Sequence, residues 1–397
     1  MYKKGDKIME CRLCKSKDLF MFLDQGYHPH SDQFRKTNDE PETRYPLKLT
    51  RCRDCGLVQI THTVEKEVMY TKDYLYEASI TATADSHWKE LAEDVVRTTG
   101  IREGSTIDIG GNDGTLSLKF KEIGFDVLNI DPCAEVTKLS RNRGVPTITD
   151  FFRKDLVNTK ADIITGTNVF AHVHDHDDFM EGLLQIMNDK SVFVFESPYF
   201  GEFLKGLEYD TVYHQHLLYL SVKPVRKFLR KFGLEIFDVK FSELHGGAFR
   251  CYIAKKGAYK VKPIVVETVR KENWTEKDLI EWAEECNDHR ERLFDFIYNL
   301  SRNGKSICCV SAPAKGMTLL NSTGIGKYVD FITEKSRLKI GRYTPGTKIK
   351  IVGDEELINT PTDYAVILAW NFAKEIMANN KDYKGKWIVP LPDIKIY

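Results

Sequence analysis

The chain has 397 residues, 58 basic and 58 acidic side chains, and 42% hydrophobic residues. That length exceeds one ordinary core and points to two or three domains, while the balanced charge gives no pull toward nucleic acid or an anionic membrane. No apolar run is long enough to span a membrane, no signal-peptide core follows Met1, and nine cysteines in such a chain argue for metal binding over disulfides, so a cytoplasmic protein is expected.

From the amino terminus, Cys11-x-x-Cys14 and Cys52-x-x-Cys55 repeat one knuckle spacing, the second closed by Gly56. Two such turns present four thiolates to one tetrahedral zinc ion and leave no open position for water, so the zinc is structural. The rival reading, a redox pair, calls for a single C-x-x-C at a helix N-terminus. The other cysteines have no partner spacing and read as small hydrophobes. Residues 1–68 are expected to form this module, and an amphipathic helix over 87–97 to bridge it to the next domain.

From residue 106 the pattern alternates: strands over 106–109, 127–130, 161–165 and 192–196, with helices over 116–123, 134–143 and 179–187. This βαβ alternation predicts a parallel sheet covered by helices, binding ligands at the carboxyl ends of its strands, over residues 69–200. The loop Asp108-Ile109-Gly110-Gly111-Asn112-Asp113-Gly114 leaves the first strand, and Asp131 ends the second. Glycines let the backbone approach a ligand, and the acidic residue can accept both ribose hydroxyls. A nicotinamide dinucleotide wants G-x-G-x-x-G and an anion-friendly helix start. Here Asp113 intrudes, which suits S-adenosylmethionine, a cation without phosphate. Asp150 and Phe151 are placed to hold an adenine, although an ordinary loop with core phenylalanines reads the same way, and Asn168 lies at the next strand end.

Beyond residue 200 a second domain of Rossmann-like character is expected over 201–397. A helical stretch over 267–301 precedes a strand over 306–310, the loop Ser311-Ala312-Pro313-Ala314-Lys315-Gly316, a helix over 317–322 and strands over 328–332, 348–351, 364–368 and 386–389. Exposed amides and one lysine at that strand-to-helix junction suit phosphate. Between the two units lie Glu196-Ser197-Pro198-Tyr199, whose Glu196 and Tyr199 are candidate substrate contacts, then Tyr209-Asp210-Thr211-Val212-Tyr213-His214-Gln215-His216, and His245-Gly246-Gly247. Tyr213, His214 and His216 can carry protons near neutrality. His174 and His176 read as solvated loop residues, whereas His172 follows a strand end beside the expected cofactor.

Taken in order, C-x-x-C…C-x-x-C-G-L, D-I-G-G-N-D-G-T-L, N-V-F-A-H, Y-D-T-V-Y-H-Q-H-L, H-G-G, A-P-A-K-G-x-T-L-L-N and R-Y-T-P-G-T resemble the sugar C-methyltransferases. These three-domain enzymes build branched deoxysugars such as mycarose and tetronitrose. The resemblance spans nearly the whole chain. It implies an α/β protein with a small zinc-binding module, a central Rossmann-like methyltransferase domain and a C-terminal Rossmann-like domain. It also implies methylation at C-3 of a nucleotide-linked 4-keto-6-deoxyhexose, in a monomer or small homo-oligomer. The implied zinc ligands are Cys11, Cys14, Cys52 and Cys55, and the implied cofactor residues Gly110, Asn112, Asp113 and Asp131, with Tyr76 near the methyl donor. His216 falls on the family's general base, Tyr213 on a tyrosine lining the sugar, and His172 on a histidine near the reacting carbon. Lys315, Asn321 and Arg342 fall on the nucleotide-sugar side.

One position departs from that pattern. The family usually has glutamate between the motif histidines, and Gln215 keeps the shape without the charge. A 4-keto group makes the neighbouring C-3 proton acidic, so His216 would remove it while Tyr213 and His172 stabilise the enolate. Three rivals remain: an O- or N-methyltransferase on the same scaffold, a binding protein that has lost catalysis, and, more distantly, a nicotinamide-dependent reductase.

Overall fold

The structure is a computed structural model describing residues 6–7, 10–69, 82–242 and 246–397, with backbone alone at 6–7, 67–68 and 82–85. Tyr76 and His245 therefore lie outside the described residues. Among these, no helix is long and apolar enough to cross a membrane.

Three sheets position the site. In the first, strands Leu19–Pro29 and Arg44–Cys52 pair antiparallel with Leu19 opposite Cys52. The register brings the chain before one strand to the chain after the other, and each carries a knuckle. The Lys15 N–H donates to the Cys11 carbonyl and the Gly56 N–H to that of Cys52, each at 2.9 Å. Gly56 takes a left-handed φ of 83°, which a side chain resists. The far edge of this sheet comes from the opposite side of the sequence: Leu218–Tyr219 pairs with Val58–Ile60.

The central sheet has seven strands in the order Leu234–Ser242, Ala248–Lys255, Met187–Pro198, Ala161–Thr165, Ser105–Ile109, Asp126–Ile130 and Thr147–Ile148. The last five run parallel, and Ala248–Lys255 is antiparallel to both neighbours. Strand order reverses at Ser105–Ile109, so the crevice beyond its carboxyl end is the natural ligand position. The β-α alternation read from the sequence is present, but the boundary expected at residue 200 is displaced. Two strands from 234–255 complete the sheet, covering what would otherwise be an open edge along Met187–Pro198. The intervening segment 199–233 separates that hairpin from the regular alternation, which hid its membership.

Where Ala248–Lys255 pairs with Met187–Pro198, Glu196 stands opposite Arg250. The Arg250 Nε donates to Glu196 at 2.9 Å and its Nη1 to Asp94 at 2.7 Å; Tyr252 donates to Asp94 at 2.6 Å, and Lys240 to Asp94 at 2.6 Å. Asp94 belongs to the helix Ala82–Thr99, so the network clamps the bridging helix to the sheet. His87, on the same helix, donates to the other Glu196 oxygen at 2.7 Å. Burial would raise the Glu196 carboxyl, but His87 and Arg250 hold it below its ordinary value.

The third sheet runs Ile351–Gly353, Ile332–Glu334, Ile307–Val310, Tyr364–Ile367, Lys386–Val389 and Lys395–Ile396, parallel except for the last strand. The long helix expected over 267–301 is two helices, Pro263–Lys271 and Glu276–Arg302. A capping box of Thr275 and Asp278 starts the second. At the break, Glu272 accepts the N–H groups of Val222 at 2.8 Å and Lys223 at 2.6 Å, satisfying the start of helix Val222–Leu229.

Arg250→Ala should remove the cation that the buried Glu196 and Asp94 share, leaving Glu196 with His87 and Asp94 with Lys240 and Tyr252. Urea unfolding should show a loss of about 3–5 kcal/mol, against under about 1 kcal/mol for truncating the exposed Lys255 that pairs with Asp189.

Candidate active site

At the switch point of the central sheet the chain approaches its ligand space closely. Gly110 has a φ of 67°, and a Cβ there would fall 2.3 Å from Val169; one on Gly111 would fall 2.2 Å from the Asn129 side chain and 2.4 Å from Asp108. The Asp131 carboxylate accepts the N–H groups of Asn112 at 3.1 Å and Cys133 at 2.9 Å, which orients it into the crevice. Asp108 accepts from Thr165 at 2.7 Å, and its second oxygen is buried without a hydrogen-bond partner among the described residues. Burial lifts the Asp108 carboxyl to about 7 and that of Asp131 to about 6. An orphaned carboxylate oxygen beside two backbone positions that exclude a side chain is a fitting cradle for a ribose and an ammonium group.

A single cavity of about 880 Å³ begins here and is lined in this half by Asp108, Gly110, Asn112, Asp131, Asp150, Phe151 and Asn168. Asp113 is not among them. It is fully buried behind the loop, accepting the Thr115 hydroxyl at 2.7 Å and lying 3.1 Å from Arg143. Its expected contact with the cofactor is therefore replaced by a role in starting helix Thr115–Glu122.

Midway, the cavity meets His172, Tyr213, Gln215 and His216. The His216 Nδ1 lies 3.0 Å from the Thr211 carbonyl, an acceptor only, so Nδ1 carries the hydrogen. Nε2 then holds the lone pair and accepts the Tyr213 hydroxyl at 2.7 Å. The His172 ring stands edge-on to His216 with centroids 5.0 Å apart, and burial keeps its imidazole neutral, down to about 4. His214 points elsewhere: it is buried, bonds the Pro46 carbonyl at 3.3 Å and packs against Tyr45, tying the motif to the zinc module. Nor is His176 solvated, since it is buried and donates to the Phe170 carbonyl at 3.0 Å.

The far end of the cavity belongs to the third sheet. Lys315 lies over the Trp370 ring at 4.1 Å and donates to Asn371. Trp370 donates to the buried Asp210 at 2.7 Å, and burial followed by Asp210 lifts the neighbouring Glu208 to about 8. Four expected substrate contacts do not line this space. Glu196 is enclosed by Arg250 and His87. Tyr199 is buried and donates to Glu272 at 3.1 Å. Asn321 donates to the carbonyls of Met317 at 2.8 Å and Pro345 at 3.0 Å. Arg342 donates to the Phe34 carbonyl at 3.3 Å, beside a bridge between Arg35 and Tyr343 that docks the C-terminal domain on the first. Each of these four is held by protein partners outside the cavity.

Other lining residues were not expected. Asp32 and Lys66 come from the zinc module, His87 from the bridging helix, and Glu334, Lys335 and Lys339 from the third sheet and the loop after it. Glu334 was findable, because it ends the second strand of its unit as Asp131 ends its own. Asp32 left no sequence signal.

Three family models match the chain in order: a zinc binding domain over residues 11–70, a methyltransferase domain over 84–239 and a C-methyltransferase C-terminal domain over 243–392. The C-methyltransferase NovU of Streptomyces niveus is 29% identical over 98% of this chain and 97% of its own length. The chain belongs to the C-methyltransferase family. Among solved structures, PH0226 of Pyrococcus horikoshii OT3 aligns over 49% of this chain and 100% of its own, at 12% identity and a TM-score of 0.39. Magnesium protoporphyrin IX methyltransferase of Synechocystis PCC 6803 aligns over 44% and 82%, at 14% identity and 0.35.

As a C-methyltransferase, the protein uses S-adenosylmethionine and a structural zinc ion. The sulfurs of Cys11 and Cys55 lie 3.5 Å apart, as do those of Cys14 and Cys52, and all four lie within 4.8 Å of one another. Tetrahedral zinc with bonds of about 2.3 Å spaces its sulfurs about 3.8 Å apart, so the cluster fits with little movement.

Cys52→Ser should lower zinc content measured by atomic absorption and depress the melting temperature. Because Asp32 and Lys66 ride on the same module, kcat/KM should fall by about tenfold or more at temperatures where the protein is still folded. Gly111→Ala should weaken S-adenosylhomocysteine binding at least about tenfold by calorimetry, since a close backbone approach is lost. Both Asp108 and Asp131 have raised carboxyls and gain charge as pH rises through about 6 to 7. Affinity for the ammonium-bearing cofactor should therefore increase from pH 5.5 to 8 by about tenfold, and flat affinity would exclude these carboxylates.

Proposed function

We propose that this C-methyltransferase adds a methyl group to C-3 of a nucleotide-linked 4-keto-6-deoxyhexose, through an enolate. The observation supporting this reading is the continuity of one cavity. It runs from the Asp131 cradle, past the lone pair of His216, to Lys315 at a strand-to-helix junction suited to a diphosphate.

S-adenosylmethionine, when bound, supplies an electrophilic methyl group on a cationic sulfur. The protein must provide a carbon nucleophile. His216 is poised as the base because Thr211 fixes its tautomer, so that Nε2, which accepts from Tyr213, carries the lone pair. Entry of the sugar displaces the Tyr213 hydroxyl from Nε2, and that hydroxyl turns to donate to the developing charge on O-4. A neutral His172 at right angles to His216 can donate a second hydrogen bond without repelling the imidazolium that forms. Lys315 holds the nucleotide diphosphate, and the cation over Trp370 is kept in place by the indole and Asn371. Burial drives the Lys315 ammonium down, with Asp210 and Glu208 opposing that shift.

His216→Asn should lower kcat about 100-fold or more while leaving calorimetric cofactor affinity near wild type. In deuterium oxide without cofactor turnover, wild type should exchange the C-3 proton of the ketosugar and His216→Asn should not. Exchange that persists in the variant would assign the base elsewhere.

A further inference from the structure

The position that departs from the family pattern has a partner on another domain. Gln215 is 2% exposed, and its Nε2 donates to Asp32 at 2.7 Å. Asp32 follows strand Leu19–Pro29 of the zinc module, nearly two hundred residues earlier, a separation of 183. Both line the cavity, and Gln215 is adjacent in sequence to His216.

Two features make this a built site. The Gln215 Oε1 is buried and has no hydrogen-bond partner among the described residues. An unpaired buried acceptor is destabilising, and that cost is removed when a ligand donates to it. Asp32, in turn, makes one side-chain hydrogen bond among the described residues, and that bond is to Gln215. Burial raises the Asp32 carboxyl, and the cation that opposes this shift, Lys339, also donates to the Ala312 carbonyl at 2.9 Å and lies 4.9 Å from the Phe34 ring. An ionised carboxylate only accepts, so it forces the amide nitrogen toward itself and the amide oxygen the other way.

We infer that Asp32 and Gln215 form a specificity determinant that holds an N–H or O–H donor borne by the sugar beside its reacting carbon. Gln215 Oε1 accepts from that group, and Asp32 acts as a positioning residue that fixes the amide. The inference rests on the ketosugar reading above. A hydroxyl and an amine share the required chemistry, and an acceptor with hydrogen at that position leaves the amide oxygen unpaired. Glutamate at 215 would place two carboxylates in hydrogen-bond contact, where one proton must be shared. Gln215 delivers a single fixed acceptor and leaves the negative charge on Asp32.

The test compares kcat/KM on nucleotide 4-ketohexoses that carry a hydroxyl, an amine or only hydrogen at C-3 or C-2. Wild type should prefer a donor-bearing sugar over its deoxy analogue by about tenfold or more. Asp32→Asn and Gln215→Ala should each reduce that ratio to below about threefold, chiefly through the KM of the donor-bearing sugar, with zinc content and S-adenosylhomocysteine affinity retained. Gln215→Ala leaves Asp32 in place, so it still decides the matter if the Asp32 variant fails to fold. A ratio unchanged in Gln215→Ala, or a wild type without preference, overturns the inference while the ketosugar reading stands. Absence of wild-type turnover on every acceptor defeats both. The larger of the hydroxyl and amine ratios names the group.

Discussion

Everything in this molecule turns on one stretch of backbone, Tyr209 to Leu220, which is buried where three domains meet. Its hydrogen bonds are divided among them. The Tyr209 carbonyl accepts from Gln25 of the zinc module at 2.8 Å, and its hydroxyl donates to His289 of the long C-terminal helix at 3.0 Å. The Leu217 N–H donates to the Ala171 carbonyl of the central domain at 3.0 Å. A buried peptide group without a partner is costly, so each of these bonds constrains where a domain can sit. The chemistry is built on the same stretch: Tyr213, Gln215 and His216 face the cavity, while Tyr209 and His214 face packing partners. The geometry of the cavity and the assembly of the domains are thus one constraint.

This division explains why parts of the site were legible and others were not. The cofactor half is local. Glycine spacing, an acidic residue after the second strand and a β-α alternation are written within residues 105–170, and the described structure has each of them in the crevice. The knuckles were legible for the same reason, since a repeated spacing of cysteines carries its own chemistry. Asp113 misled because its charge was visible but its direction was not: a residue just before a helix can turn inward to hold that helix. Charge alone does not say which side of a loop an oxygen faces.

The acceptor half is non-local, and sequence reading of it was weaker. Of the residues that do not line it, Arg342 reaches across to the zinc module, whereas Glu196 and Asn321 are held by partners near them in their own domains. Asp32 lies in a stretch with no periodic or motif signal, and it reaches the cavity only because a sheet from one domain is pinned against a segment of another. The interdomain boundary was misplaced for a related reason. The hairpin of Leu234–Ser242 and Ala248–Lys255 belongs to a sheet whose other strands ended some thirty-five residues earlier, and the intervening chain is the very segment that visits the other domains.

The pairing of Leu218–Tyr219 with Val58–Ile60 has a consequence for how the chain is made. When the first seventy residues leave the ribosome, both knuckles are available to metal, yet the strand at Val58–Ile60 still presents unpaired amides and carbonyls along its edge. That edge closes only after some hundred and fifty further residues have been synthesised. A zinc ion bound at that stage would hold a half-finished sheet in register, and the interval before closure is when a neighbouring nascent chain could pair there instead.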